Sequence, residues 1–160
     1  MSRAFVKDET VAEAVETVLP ERTISPHPNL VTASGLKALE EALQSARDAL
    51  SKAASLQDAI ERKRHSAAPA RDIRYLSERL TTAQLVTPAP SPETVGFGNS
   101  VTIEYEDGRK VTYRIVGEDE ADPTKGLISY VSPVARALSG ERAGAAVAVA
   151  GREIVILQIS

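Results

Sequence analysis

The sequence predicts an α+β protein in which an antiparallel helical hairpin, a coiled coil, precedes an antiparallel β domain with one short helix. Two patterns support this. Apolar residues recur at alternating steps of three and four between residues 33 and 86, whereas they alternate with polar residues after residue 98. The segment 87–97 separates the patterns with three prolines at alternate positions, which is typical of a semi-rigid linker. The predicted zones are therefore 1–32, 33–86, 87–97 and 98–160.

Residues 1–32 form a leader ahead of the helical pattern. Asp8 is suited to cap a short helix that ends before Pro20. Farther on, Pro26 and Pro28 favour an extended path. Two interpretations of the leader stay open: a weakly ordered tail or an extended docking arm.

The helical zone carries the apolar seam of a coiled coil. Its positions are Leu36, Leu39, Leu43, Ala46, Leu50, Ala53, Gln57, Ile60, Ile73, Leu76, Leu80 and Ala83. Two such runs bury their stripes best by packing against each other as a hairpin. The turn has two possible places: it lies near 55–61 and Pro69 kinks the returning helix, or the first helix overhangs the second. A symmetric hairpin would have its tip near residue 60.

Strand patterns dominate residues 98–160. Two alternating runs flank Asp107-Gly108, which is a strong hairpin signal, and the segment 127–131 predicts a third strand. Runs at 145–150 and 153–159 predict a second hairpin around Gly151.

A short helix is predicted over residues 133–139, after the third strand. Ser132 is a good N-cap, Pro133 suits the first helical position, and Gly140 is a natural stop.

Composition excludes several classes of function. The chain has no cysteine, and its two histidines, His27 and His65, lie far apart, so neither a thiolate nucleophile nor a zinc site is expected. A formal charge of −3 argues against a protein whose main task is to grip nucleic acid by its phosphates. With neither a signal peptide nor an apolar span of roughly 20 residues, the chain is expected to be cytoplasmic, with no membrane partner.

Several segments together resemble the bacterial GreA/GreB transcription elongation factors. In the C-terminal part these are Phe-Gly-Asn-Ser-Val-Thr at 97–102, Tyr-Arg-Ile-Val-Gly-Glu-Asp-Glu-Ala-Asp at 113–122 and Ser-Pro-Val-Ala-Arg-Ala-Leu at 132–138. The end of the helical zone, Leu-Thr-Thr-Ala-Gln-Leu-Val at 80–86, is similar to the end of Gre hairpins. The segments 2–7 and 25–29 resemble GreB-like relatives in particular.

This resemblance implies a regulatory protein that binds RNA polymerase and is not itself an enzyme. The C-terminal domain would have an FKBP-like fold and anchor at the rim of the secondary channel, which the coiled coil enters. The implied polymerase-binding residues are Asp119, Asp122, Ser132, Pro133, Val134 and Arg136. Each also has a plain structural interpretation, as a helix start, a solvated loop carboxylate or a surface ion pair. No small-molecule substrate is expected.

The hairpin departs from the family at its tip. Gre hairpins carry the phrase Asp-Leu-Ser-Glu-Asn, whose acids help to hold Mg²⁺ in the polymerase active site; this chain lacks it and has a shorter hairpin. Asp58 and Glu61 keep an Asp-x-x-Glu spacing near the expected tip, and two carboxylates one helical turn apart could share a cation. Arg62, Lys63 and Arg64 follow directly and would offset such a site. We therefore favour a solvated charged tip, expect no cofactor held by this chain, and doubt efficient stimulation of transcript cleavage. The cations could instead approach RNA or DNA phosphates within a complex.

Two other functions fit parts of the sequence. An FKBP-like domain suggests a peptidyl-prolyl isomerase, whose pocket needs aromatic walls, and only Phe97, Tyr105, Tyr113 and Tyr130 are available in this domain. A short-hairpin relative could also be a protein-binding regulator of the nucleoside diphosphate kinase type.

Overall fold

The computed structural model describes residues 18–160, so the predicted helix headed by Asp8 lies outside the described residues. The described chain forms two compact units. One contains residues 18–24 and 40–78, and the other contains residues 25–39 and 79–160.

The chain contains three α-helices and seven strands in its described part. The helices are α1 (Ala33–Ala54), α2 (Ala59–Thr82) and α3 (Pro133–Leu138). The strands are β1 (Leu30–Val31), β2 (Gln84–Leu85), β3 (Ser100–Tyr105), β4 (Lys110–Val116), β5 (Leu127–Ser129), β6 (Ala146–Val149) and β7 (Arg152–Ile159). A 3-10 turn, Pro123–Lys125, precedes β5.

The helical hairpin is confirmed, and its turn lies at residues 55–58. Because α1 has 22 residues and α2 has 24, the two helices match in length, and Pro69 lies inside α2. Among the predicted seam positions of the first unit, Leu43, Ala53 and Leu76 are buried. Ile60, at the start of α2, is 59% exposed and lies outside the buried seam.

The second unit is built on a five-stranded sheet in the order β5-β4-β3-β7-β6. The Asp107-Gly108 hairpin joins β3 to β4 as predicted, and Gly108 has a φ of 81°. The predicted antiparallel sheet needs one correction, because β5 runs parallel to β4. The sheet is therefore mixed, while the α+β class is confirmed.

The core of the second unit lies between the sheet and α3. Ile103 and Ile156 on the central strands are fully buried, as is Leu138 of α3. The burial of alternate residues on β3 is what its alternating sequence pattern predicts, whereas on β7 Ile154 and Ile156 are buried within a continuous apolar run at 154–157. α3 packs into this core through Ala135 and Leu138, whereas Pro133 and Arg136 are exposed with respect to the described residues.

Residues 25–32 bend at Pro26 and His27, where the sequence predicts an extended path, and end in a strand pairing absent from the sequence prediction. Strand β1 pairs in parallel with β2, so that Leu30 lies opposite Gln84 and Val31 opposite Leu85. The chain segments that lead into α1 and out of α2 are therefore joined within the second unit.

The proline-rich segment 87–97 also belongs to the second unit. Val95 is 2% exposed and exchanges backbone hydrogen bonds with Gly140 and Glu141. The predicted zone boundaries stay predictions. In the part of the chain that the structure describes, no helix is long and apolar enough to cross a bilayer.

Candidate functional site

Helix α3 begins at the Ser-Pro pair as the sequence predicts. Ser132 is the N-cap, in an extended conformation, and its Oγ accepts a hydrogen bond from the backbone N of Ala135 at 3.3 Å. Pro133 occupies the first helical position, where the missing N–H costs nothing. Ser132 and Pro133 therefore start this helix, whatever else they contact.

The two faces of α3 differ sharply. Ala135 and Leu138 are buried in the core, and Val134 is partly buried against it. Pro133 and Arg136 are exposed. The proline ring and the guanidinium group of α3 are therefore exposed to solvent, while the opposite side of the helix is packed in the core.

Asp122 orders the loop ahead of β5. Its Oδ1 accepts hydrogen bonds from the hydroxyl of Thr124 at 2.6 Å and from the backbone N of Thr124 at 3.1 Å. The hydrogen bond from the Thr124 hydroxyl, more than any other contact, lowers the pKa of Asp122 below its ordinary value. Lys125 Nζ lies 3.8 Å from Oδ2, and the carboxylate remains partly exposed.

Asp119 pairs with a buried arginine. Its Oδ2 accepts a hydrogen bond at 2.6 Å from Nε of Arg79, near the end of α2. The side chain of Arg79 is 2% exposed and that of Asp119 is 16% exposed. The sequence predicts neither the burial of Arg79 nor this pair, because the two residues lie 40 positions apart.

The loop residues Gly117, Glu118 and Glu120 also contact distant segments, and the sequence does not indicate these contacts. Glu118 accepts a hydrogen bond from Ser25 Oγ at 3.0 Å. Glu120 accepts hydrogen bonds from Thr32 Oγ1 at 2.6 Å and Ser34 Oγ at 2.7 Å. The only available sequence signal was the density of acids in Gly-Glu-Asp-Glu-Ala-Asp at 117–122, which does not reveal their partners.

The aromatic residues of the second unit form two separate pairs. Phe97 and Tyr130 meet edge to face with 5.8 Å between ring centroids, whereas the hydroxyls of Tyr105 and Tyr113 are 3.2 Å apart. The hydrogen bond to Tyr105, with burial, raises the pKa of Tyr113. All four rings are partly buried and pack against the core of the second unit, so each of them contributes to the packing of the sheet.

At the hairpin tip, Asp58 and Glu61 lie at the start of α2. Asp58 acts as the N-cap, since its Oδ1 accepts a hydrogen bond from the backbone N of Glu61 at 2.9 Å. The Glu61 carboxylate contacts Arg64 at 3.3 Å and His65 at 3.1 Å. The Arg62 guanidinium donates hydrogen bonds to the carbonyls of residues 56 and 57 and thereby closes the turn.

The capping role of Asp58 gives a testable prediction. Asp58→Ala should lower the free energy of unfolding by about 1 kcal/mol, because it removes the acceptor of an otherwise unpaired helical N–H. Asp58→Asn should leave stability nearly unchanged, since asparagine caps as well as aspartate. Urea denaturation of the full chain followed by circular dichroism measures both. Equal losses for the two variants would contradict the cap and assign the effect to the negative charge.

Comparison with known proteins places this chain in a family. The family model "Transcription elongation factor, GreA/GreB, C-term" matches residues 89–160. Transcription elongation factor GreB of Pasteurella multocida is 41% identical over 128 residues, which covers 71% of this chain and 81% of that protein. Transcription elongation factor GreA of Alkalilimnicola ehrlichii is 47% identical over 75 residues, covering 45% of this chain and 48% of that protein.

Among solved structures, GreA factor homolog 1 (Gfh1) of Thermus thermophilus is similar at 23% identity with a TM-score of 0.40, covering 82% of this chain and 97% of that one. The matched sequences are transcription elongation factors, and this is the class of protein to which the chain belongs. The chain belongs to the GreA/GreB family.

Proposed function

We propose that this chain is a Gre-like regulator that binds RNA polymerase near its secondary channel through the domain at 98–160. Family membership supports the partner, and the exposed face of α3 supports the place of contact. A rigid helix with an exposed proline and arginine offers both apolar packing and charge to a partner, with little ordering cost on binding.

The proposed contact surface centres on Ser132, Pro133, Val134 and Arg136. Asp119 and Asp122 belong to the same implied surface, and we assign them a more indirect part. Asp119 is engaged with Arg79, while Asp122 holds the loop through Thr124. Asp122 would then keep the loop ahead of β5 in shape, and Asp119 would hold Arg79 more than it would touch polymerase.

We further propose that the chain regulates transcription without being an enzyme and stimulates transcript cleavage poorly. A second metal ion that promotes phosphodiester hydrolysis needs free carboxylate oxygens. At this tip one Asp58 oxygen caps α2, and Glu61 lies beside Arg64 and His65. Arg62 and Lys63 add positive charge, which disfavours a divalent cation and suits nearby nucleic-acid phosphates.

Titration of the full chain into stalled elongation complexes with Mg²⁺ tests this proposal. We expect binding to core RNA polymerase at micromolar concentration or better, and cleavage at less than a tenth of the rate that an equal amount of a GreB protein produces. Absence of binding at micromolar concentration would overturn the proposal. Rapid cleavage that Glu61→Gln abolishes, but Glu93→Gln does not, would overturn the poor-cleavage part and assign the tip a metal-binding role.

A further inference from the structure

We infer that residues 117–120 form an internal clamp that ties both ends of the helical hairpin to the C-terminal domain. The functional consequence rests on the proposed function: if the domain docks on polymerase, the clamp also positions the hairpin there. We call this segment the acidic clamp. Its contacts all lie within the second unit, which contains residues 25–39 and 79–160.

The end of α2 is held by the Arg79–Asp119 pair. A buried guanidinium is costly unless a counter-charge accompanies it, and Asp119 Oδ2 supplies that charge at 2.6 Å from Nε. The carbonyl of the same arginine accepts a hydrogen bond from Nδ2 of buried Asn29 at 2.7 Å. Arg79 therefore joins the end of the hairpin to the sheet domain on one side and to the arm at 25–32 on the other.

The start of α1 is held by Glu120. Thr32 caps this helix, since its Oγ1 accepts a hydrogen bond from the backbone N of Gly35 at 3.0 Å. The Glu120 carboxylate accepts hydrogen bonds from Thr32 Oγ1 and Ser34 Oγ, with one oxygen for each hydroxyl. A carboxylate at a helix N-terminus is also favoured by the helix dipole.

The arm before α1 is held by three further contacts. Ser25 donates a hydrogen bond to Glu118, and the Tyr130 hydroxyl donates one to the carbonyl of Pro28. Gly117 lies directly against the backbone of Leu30, and a Cβ at position 117 would come within 2.3 Å of the Leu30 carbonyl oxygen. Glycine is thus required for this close approach.

The contacts of the acidic clamp are distributed over every segment that connects the hairpin to the docking domain. One short loop contacts the arm, the entry to α1 and the exit from α2, which are the parts of the chain that connect the hairpin to the docking domain. Acidic residues that served only solubility would not each need a different partner, as the three successive acids of this loop have. We therefore assign Arg79 and Glu120 a positioning role. By holding the ends of the hairpin against the docking domain, they determine where the hairpin lies once the domain has bound.

The first test uses the full chain alone and measures hydrogen exchange. In Arg79→Met and in Glu120→Ala, we expect the amides of Leu36 and Gln84 to exchange at least tenfold faster, because they bond to the carbonyls of Thr32 and Asn29. The amides of β3 and β7 should keep their protection. Glu93→Gln, which alters an exposed acid, is the control. Unchanged exchange at both amides in both variants would overturn the clamp.

The second test measures positioning on polymerase. A photo-crosslinker at Gln57 in the hairpin turn reports where the tip lies in the complex. We expect Glu120→Ala and Arg79→Met to bind core polymerase within threefold of the unmodified chain but to lose at least four fifths of the crosslink yield, and Arg79→Lys to restore part of it. Retained yield in both variants would overturn the positioning role.

The two tests also separate this inference from the proposed function. If the unmodified chain fails to bind polymerase, the proposed function fails, while hydrogen exchange still decides whether the clamp exists.

Discussion

Replacing Pro133 with glutamate is expected to weaken binding to RNA polymerase at least tenfold, equivalent to about 1.4 kcal/mol, while the protein stays folded. Pro133 is exposed and occupies the first position of α3. Glutamate in the first turn suits the helix dipole, so the helix itself should tolerate the change. At a docking surface, however, it would replace an apolar contact with a charge that must lose its water.

Fluorescence anisotropy with labelled protein and core polymerase measures this effect, and thermal melting checks the fold. Gln158→Glu is the matched control, because it adds the same charge at an exposed residue of β7 outside the proposed surface. Its affinity should stay within twofold. Equal affinity of both variants would exclude α3 from the docking surface.

Substituting Gly117 with alanine is expected to lower the free energy of unfolding by about 2 kcal/mol, because it overpacks a tight backbone contact. The new Cβ would lie 2.3 Å from the carbonyl oxygen of Leu30, and a backbone atom cannot move aside alone. The arm must therefore shift away from the sheet. A melting temperature lower by roughly 4–8 °C is the measurable result.

Gly96→Ala is the control for this substitution. Its Cβ would come no closer than 3.3 Å, to the side-chain oxygen of Asn99, which is a milder contact than the one at residue 117. We expect a loss below 1 kcal/mol for this variant. A Gly117→Ala protein as stable as the control would show that the arm does not depend on close contact with the loop.

The elements governed by local chemistry were predictable from the sequence. The Asp107-Gly108 turn, the alternation along β3 and the Ser-Pro start of α3 each depend on a few neighbouring residues. The hairpin seam was equally visible, and of the two turn positions that the sequence left open, the one near 55–61 contains the observed turn at 55–58. Residues 55–58 contain no glycine or proline, and the turn is closed by the side chains of Asp58 and Arg62.

The direction of β5 could not be read from the sequence. A connection as short as 117–126 favours an antiparallel neighbour, since parallel strands usually need a longer crossover. Here the chain turns back on itself before β5, through the 3-10 turn and a bridge between Asp122 and Leu127. This extra reversal makes β5 parallel to β4.

The sequence indicates the helix that carries part of the candidate site, but only few of the contacts around it. Ser132, Pro133 and Arg136 lie where a short capped helix places them, as the sequence indicates. The acids at 118–120 resemble solvated loop residues in sequence, yet their partners are Ser25, Arg79, Thr32 and Ser34. No local pattern links residues that are 40 to 93 positions apart.

The contacts of the arm have a consequence for how the protein is made. Ser25 and Pro28 leave the ribosome early, but Glu118 and Tyr130 follow only 93 and 102 residues later. At about 5–20 residues per second, the arm waits roughly 5–20 s without its partners. Because β1 also needs β2, which follows the whole hairpin, the first part of this unit to be synthesised cannot complete its contacts until residue 130 has been made.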